Sequence, residues 1–132
     1  MNSLLNLKKG AFMRIQVSGE DYLKGILVLE KKNGTVRSVD LARYQQVSKA
    51  SVSNALAVLR EKELVTMDEK LYIHLTEQGR NVAQSMYDRH CFFRDHLISI
   101  GVDEKTAAED ACKLEHAISD VSFQKLKEAL DK

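Results

Sequence analysis

The spacing of apolar residues changes twice between positions 49 and 80, and that double change restricts the fold more than any other feature. Val52, Leu56 and Leu59 recur at helical spacing. Val65 and Met67, then Leu71, Ile73 and Leu75, alternate as strand residues do, with Asp68-Glu69-Lys70 between the two runs. Helical spacing returns after Thr76, a residue suited to cap a long helix running to about Ile100, with Gly101 as its stop. A helix, a two-stranded wing and a long helix in that order predict a winged-helix head.

The flanking segments read as helices as well. Ser18 suits an N-cap, with Asp21 three residues on, and Tyr22, Ile26 and Leu29 follow at helical spacing up to an end near Gly34. Ser38 caps a short second helix carrying Leu41 and Ala42, Val47-Ser48 forms a turn, and Ser48 caps the third helix. Asp103 caps a fifth helix through about Ala117, and Ser119 a sixth. None of the 132 residues is proline, which suits a helical chain. The reading is a mainly α protein, with a winged helix-turn-helix over 1–76 and a helical module over 77–132. Residues 1–16 show no period and are expected to be disordered, with Met13 as an alternative start.

The third helix has the character of a DNA-reading element. Ser48, Lys49, Ser51, Ser53 and Asn54 lie away from its apolar stripe, at the end where backbone N–H groups are free to meet a phosphate. Asparagine can pair bidentately with adenine, and Lys49 can reach a phosphate or a guanine. A capped, solvated surface helix would show the same residues. The net charge is only +1, so DNA binding would rest on this local arrangement rather than on the whole chain.

In EDACKLEHAISD (109–120), Cys112, Glu115 and His116 stand at i, i+3 and i+4, on one helix face. Thiolate, carboxylate and imidazole together suit a transition metal. One helix face seldom completes a coordination sphere, and His90 and Asp21 are the candidates for the rest. Each residue also has a plain structural reading: Asp21 as part of a helix cap, His90 as a half-buried hydrogen-bonded histidine, Cys112 as a small core residue, and Glu115-His116 as a solvated pair. With two cysteines, Cys91 and Cys112, a disulfide framework is not expected.

The order of features resembles the diphtheria-toxin-repressor and manganese-transport-regulator family of metal-dependent repressors. The resemblance runs from about Ser18 to the C-terminus. It is carried by SGEDYL (18–23), SVDLARYQQVSKASVSNALAVLREKELV (38–65), HLTEQG (74–79), DRHCFFRDHL (88–97) and, most specifically, EDACKLEHAISD. It implies a metal corepressor, double-stranded operator DNA bound by a homodimer, and control of metal-homeostasis genes, with 1–76 as the DNA-binding domain, 77–132 as the metal-binding and dimerisation domain, and Asp21, His90, Cys112, Glu115 and His116 as the principal ligands. The chain mixes features of the family's two branches, and no counterpart of the family's SH3-like domain is expected.

Several residues depart from the pattern. Lys24 stands where manganese sensors place a second-metal carboxylate, and a cation there disfavours a binuclear site. Arg94 and Ala108 occupy positions of ancillary ligands in the iron-sensing branch, so that site is expected to be missing or rebuilt with Glu109 or Asp95. Gln45 and Gln46 replace an apolar and a small residue, implying a looser turn. His74 and His96 match no ligand position and read as surface or packing residues.

The resemblance implies a clamp of reading head to dimer module by the bound metal, holding two recognition helices about 34 Å apart, one DNA turn. The donor set suits Fe(II), Co(II), Ni(II) or Zn(II) better than Mn(II); within the resemblance, Fe(II) is the first expectation and Mn(II) the second, with Zn(II), Co(II) or Ni(II) as substitutes. The rival is a metal-independent winged-helix regulator answering another ligand. A metal-binding partner protein that never touches DNA is a further alternative. An enzyme built on Cys112 and His116 lacks a glycine-rich phosphate loop or a nucleophile elbow. No run reaches the ~18 apolar residues of a membrane span, and no secretory signal is visible, so a cytoplasmic protein is expected. Leu114, Ile118, Phe123, Leu126 and Leu130 are the apolar positions for a dimer face or an internal core.

Overall fold

A computed structural model describes residues 19–131; the Ser18 cap and the segment 1–16 lie outside them. Six helices and one two-stranded sheet follow in order among these residues. They are α1 (19–33), α2 (Ser38–Gln45), α3 (Lys49–Glu61), β1 (Val65–Met67), β2 (Ile73–Leu75), α4 (Glu77–Ser99), α5 (Glu104–Ala117) and α6 (Asp120–Leu130). The chain divides into two compact units, with the boundary inside α4 between Gln84 and Ser85.

In the N-terminal unit, α1 ends at Gly34, whose φ of +83° and N–H to the Glu30 carbonyl (2.8 Å) turn the chain. The first residue of α2 is Ser38, and Arg37 takes the cap position instead of the expected serine. The Asp40 carboxylate reaches back to accept the Arg37 N–H at 3.0 Å, which leaves Ser38 inside the first turn. The turn into α3 is not loose, as Gln45 and Gln46 had implied. Gln46 adopts the left-handed conformation (φ 57°), and the Gln46 and Val47 N–H groups close on the Arg43 and Ala42 carbonyls at 3.3 and 3.0 Å. Ser48 caps α3 by accepting the Ser51 N–H, and Val52, Leu56 and Leu59 form its buried stripe.

β1 and β2 pair antiparallel in the register Val65–Leu75, Thr66–His74, Met67–Ile73. The Ile73 N–H also bonds the Val36 carbonyl at 2.8 Å, tying the wing to the stretch before α2. Leu71 is not a strand residue: it lies in the wing turn at φ 67° and is 65% exposed. Asp68 organises that turn. One of its oxygens accepts the Lys70 and Tyr72 N–H groups (2.9 and 3.0 Å), and the other meets His74 Nε2 at 2.8 Å. The His74 hydrogen bond, followed by those backbone N–H groups, holds the Asp68 carboxyl below its ordinary value of 3.8.

The wing then feeds α4 through a tight junction. Thr76 Oγ1 donates to the Glu63 carbonyl (2.8 Å) and accepts the Gly79 N–H (3.0 Å), and the Thr76 N–H bonds the Leu64 carbonyl (3.1 Å). Arg80 on α4 grips Glu30 on α1 through both carboxylate oxygens, at 2.8 and 3.2 Å.

In the C-terminal unit, Asp103 caps α5 and Ser119 caps α6, each accepting the N–H three residues on. Phe92 and Phe93 from α4, Ala111 from α5 and Phe123 from α6 form the core, with Ile118 and Leu126 packed against it. The rings of Phe92 and Phe123 meet edge to face at 5.3 Å. The apolar positions of the last two helices therefore divide: Phe123, Ile118 and Leu126 serve the internal core, while Leu114 and Leu130 stay 39% and 50% exposed.

A side-chain carbon at Gly79 would lie 1.9 Å from the Leu64 carbonyl oxygen, a backbone atom that cannot swing aside. Gly79→Ala is expected to cost about 2–3 kcal/mol in denaturant unfolding; a loss within the noise of that measurement would refute the close approach. Because the folded-state value of Asp68 is depressed, its support of the wing is present above the ordinary aspartate value and lost as pH falls through the depressed one. The Lys70 and Tyr72 amide NMR signals should titrate with a midpoint below 3.8 and lose that titration in Asp68→Asn. A midpoint at or above 3.8 would count against the role of Asp68.

Candidate metal centre

Along α5 the buried stripe is Ala107, Ala111 and Glu115, at i, i+4 and i+8. Two methyl groups suit a helix pressed against neighbours; the third position carries a carboxylate with no solvent exposure. A buried carboxylate is costly unless charges or donors face it. Two histidines do so. His90 Nδ1, from α4, stands 3.4 Å from one Glu115 oxygen, and His116 Nε2 stands 3.3 Å from the other.

Cys112, one turn before Glu115 on α5, brings its Sγ to 3.7 Å from the same His90 Nδ1. One donor atom each from His90, Cys112 and Glu115 thus lie within 4.8 Å of one another. Ligands around one divalent transition metal sit ~2.0–2.3 Å from the ion, so donors this close fit a common metal after small side-chain adjustments. The set combines a soft thiolate with imidazole and carboxylate and is partly open, since Cys112 is exposed, His90 half-buried and Glu115 fully buried. Asp21 belongs to the N-terminal unit, half-buried in the first turn of α1.

The remaining residues singled out in the sequence find other employment. Lys24 is buried in α1. Arg94 turns its Nε and a terminal nitrogen to Asp95, both at 3.1 Å, and that hydrogen bond raises the Arg94 value further. Among the described residues, neither Asp95 nor Glu109 joins a convergent group of ligands. His74 pairs with Asp68 in the wing, and His96 bonds the Phe92 carbonyl at 2.9 Å, its ring tilted at 40° against that of Phe92.

On the head, Ser48, Lys49, Ser51, Ser53 and Asn54 are all exposed, away from the buried stripe of α3. The Ser48 and Ser51 hydroxyls also bond each other at 2.9 Å, so both take part in the cap. Sequence reasoning missed two arginines. Arg37 donates to the Tyr72 hydroxyl at 3.0 Å and stacks on its ring (4.6 Å), bracing the wing. Arg89, beside His90, is buried. Neither has a local pattern that could announce its partner, which lies 35 residues away for Arg37 and 26 to 31 for Arg89.

Residues 15–72 match the iron-dependent repressor N-terminal DNA-binding domain, and residues 76–132 the iron-dependent repressor metal-binding and dimerisation domain. The chain is 36% identical over 115 residues to an uncharacterized HTH-type transcriptional regulator of Methanocaldococcus jannaschii, covering 86% of this chain and 92% of that one. The chain belongs to the iron-dependent repressor family. It is also 30% identical to the HTH-type transcriptional regulator MntR of Geobacillus kaustophilus, over 77% of this chain and 72% of that protein. A solved manganese-dependent transcriptional repressor in complex with manganese superposes with a TM-score of 0.75 at 30% identity, over 86% of this chain. The chain spans about half the length of that repressor, 52%. Members of the iron-dependent repressor family are transcriptional repressors, not enzymes, and the family pairs a DNA-binding domain with a domain for metal binding and dimerisation. No helix among the described residues is long and apolar enough to cross a membrane.

Cysteine exposure gives a direct check on the site. Cys112 is exposed and Cys91 half-buried. In chelator, iodoacetamide followed by mass spectrometry should show Cys112 labelled several-fold faster than Cys91; equal rates would contradict the open edge of the centre.

Proposed function

We propose that this chain is a metal-dependent transcriptional repressor that binds operator DNA as a homodimer when loaded with Fe(II) or, second, Mn(II), and controls metal-homeostasis genes. The observation that carries the reading is the convergence of His90, Cys112 and Glu115 within 4.8 Å, inside a chain of the iron-dependent repressor family. His90, Cys112, Glu115 and His116 would hold the ion, and Asp21 enters the ligand set on the family resemblance. A bound divalent ion would supply positive charge and fixed coordination directions.

The protein residues have distinct parts in this scheme. Cys112 must lose its proton to bind, and the imidazoles must be neutral, so metal affinity should weaken as pH falls. Glu115, buried on α5, offers a carboxylate that faces two imidazoles, a pairing of donor types suited to a transition metal. The thiolate biases the site toward Fe(II), Co(II), Ni(II) or Zn(II) relative to Mn(II). Ordering of the two heads by the loaded dimer would be a shift of population toward the DNA-competent form. On the DNA, Ser48, Ser51 and the α3 N-terminus would meet phosphate, Lys49 a phosphate or guanine, and Ser53 and Asn54 the base edges. Leu114 and Leu130, exposed on α5 and α6, are available to the dimer contact. Such a protein would act in the cytoplasm.

The test is anaerobic binding to its own promoter DNA, with Fe(II), with Mn(II) and with chelator. Metal-dependent binding is expected, abolished in Cys112→Ala and His90→Ala, with Asn54→Ala costing about 1–3 kcal/mol of operator affinity. Metal should also slow alkylation of Cys112. Binding indifferent to chelator would replace this reading by a metal-independent winged-helix regulator.

A further inference from the structure

Arg89 precedes His90 on α4, and its side chain is 6% exposed. A buried guanidinium must be satisfied by its surroundings. Arg89 finds its partners at the end of α5. One terminal nitrogen donates to the Glu115 carbonyl at 3.2 Å and to the Ile118 carbonyl at 2.6 Å. The other pairs with the Asp120 carboxylate, and the guanidinium lies 5.4 Å from the centre of the Phe123 ring. The last carbonyls of a helix have no partner within it, and a cation there is favoured by the helix dipole. Arg89 supplies both a donor and the charge.

The carbonyl it takes belongs to Glu115, whose side chain faces His90 and His116. The residue that grips the backbone of one candidate ligand is thus the chain neighbour of another. We propose that Arg89 is a positioning residue for the metal centre: it fixes the spacing of α4 and α5 at the level of His90 and Glu115, so that the donors are arranged before metal arrives. This rests on the metal reading above. A lost clamp would leave every ligand present but let the Glu115 carboxylate and the two imidazoles drift apart. Partners that orient metal ligands without touching the metal affect affinity by roughly 10–100-fold.

The experiment is an anaerobic Co(II) titration of the full chain, followed by the cobalt d–d bands and the thiolate-to-cobalt charge-transfer band. Arg89→Met should bind Co(II) ~10-fold more weakly or worse, with displaced d–d bands. Leu126→Ala, which weakens packing on the same core and leaves the hydrogen-bond partners of Arg89 in place, should lose stability yet keep the wild-type affinity and spectrum. Arg89→Lys, which retains the cation but not the fork, should fall between and carries the test should the methionine variant not fold. Wild-type affinity and bands in Arg89→Met, or in Arg89→Lys where the methionine variant does not fold, would overturn the proposal, as would equal weakening in Leu126→Ala. Co(II) binding lost in Cys112→Ala but intact in Arg89→Met would leave the metal reading standing and remove this one. No Co(II) binding by the wild type would remove both.

Discussion

A charged group placed out of water must be answered by its neighbours, and the C-terminal unit is organised by that requirement. Glu115 has no solvent exposure, and Arg89, on the facing helix, is almost as deeply buried. Their charges are not spent on each other. Arg89 takes the Glu115 and Ile118 carbonyls and the Asp120 carboxylate, while the Glu115 side chain looks toward two imidazoles. The guanidinium closes the end of α5, and Cys112, exposed on the same helix as Glu115, brings its thiol to His90.

The N-terminal unit answers a different constraint. Its strands are three residues each and form no free-standing sheet. They are held by the Val36 carbonyl on one side, by Arg37 across Tyr72, and by the junction in which Gly79 presses on Leu64. Asp68 closes the tip. With the wing anchored at both ends and α3 capped by Ser48, the polar face of α3 is presented on a rigid support, as a reading helix requires.

Much of this was legible in order along the chain. Helix starts were marked by Ser48, Asp103 and Ser119, whose side chains cap by local bonds, and the stops at Gly34 and Gly101 by their positive φ. The i, i+3, i+4 pattern of Cys112, Glu115 and His116 put three donor types on one helix face without reference to any other segment. Less legible were features settled by competition. Ser38 lost its cap position because the Asp40 carboxylate reaches one residue further back, to Arg37. Leu71 left the strand because Asp68 needs the following N–H groups to close its turn. Gln46 closes its turn tightly, because left-handed geometry lets two consecutive N–H groups meet the ends of α2.

Local periodicity and capping chemistry thus set the order of elements, the winged-helix character of the head and the shared face of Cys112, Glu115 and His116 on α5. These depend on residues within a turn or two of one another. Tertiary structure alone decided that His90 meets Glu115 and Cys112 across 25 and 22 residues, and that Glu115 is wholly buried. It also decided that Arg89 joins α4 to the end of α5, and that Phe123 and Leu126 serve the internal core rather than the surface. Those facts depend on how helices pack, and packing joins positions that no local pattern connects.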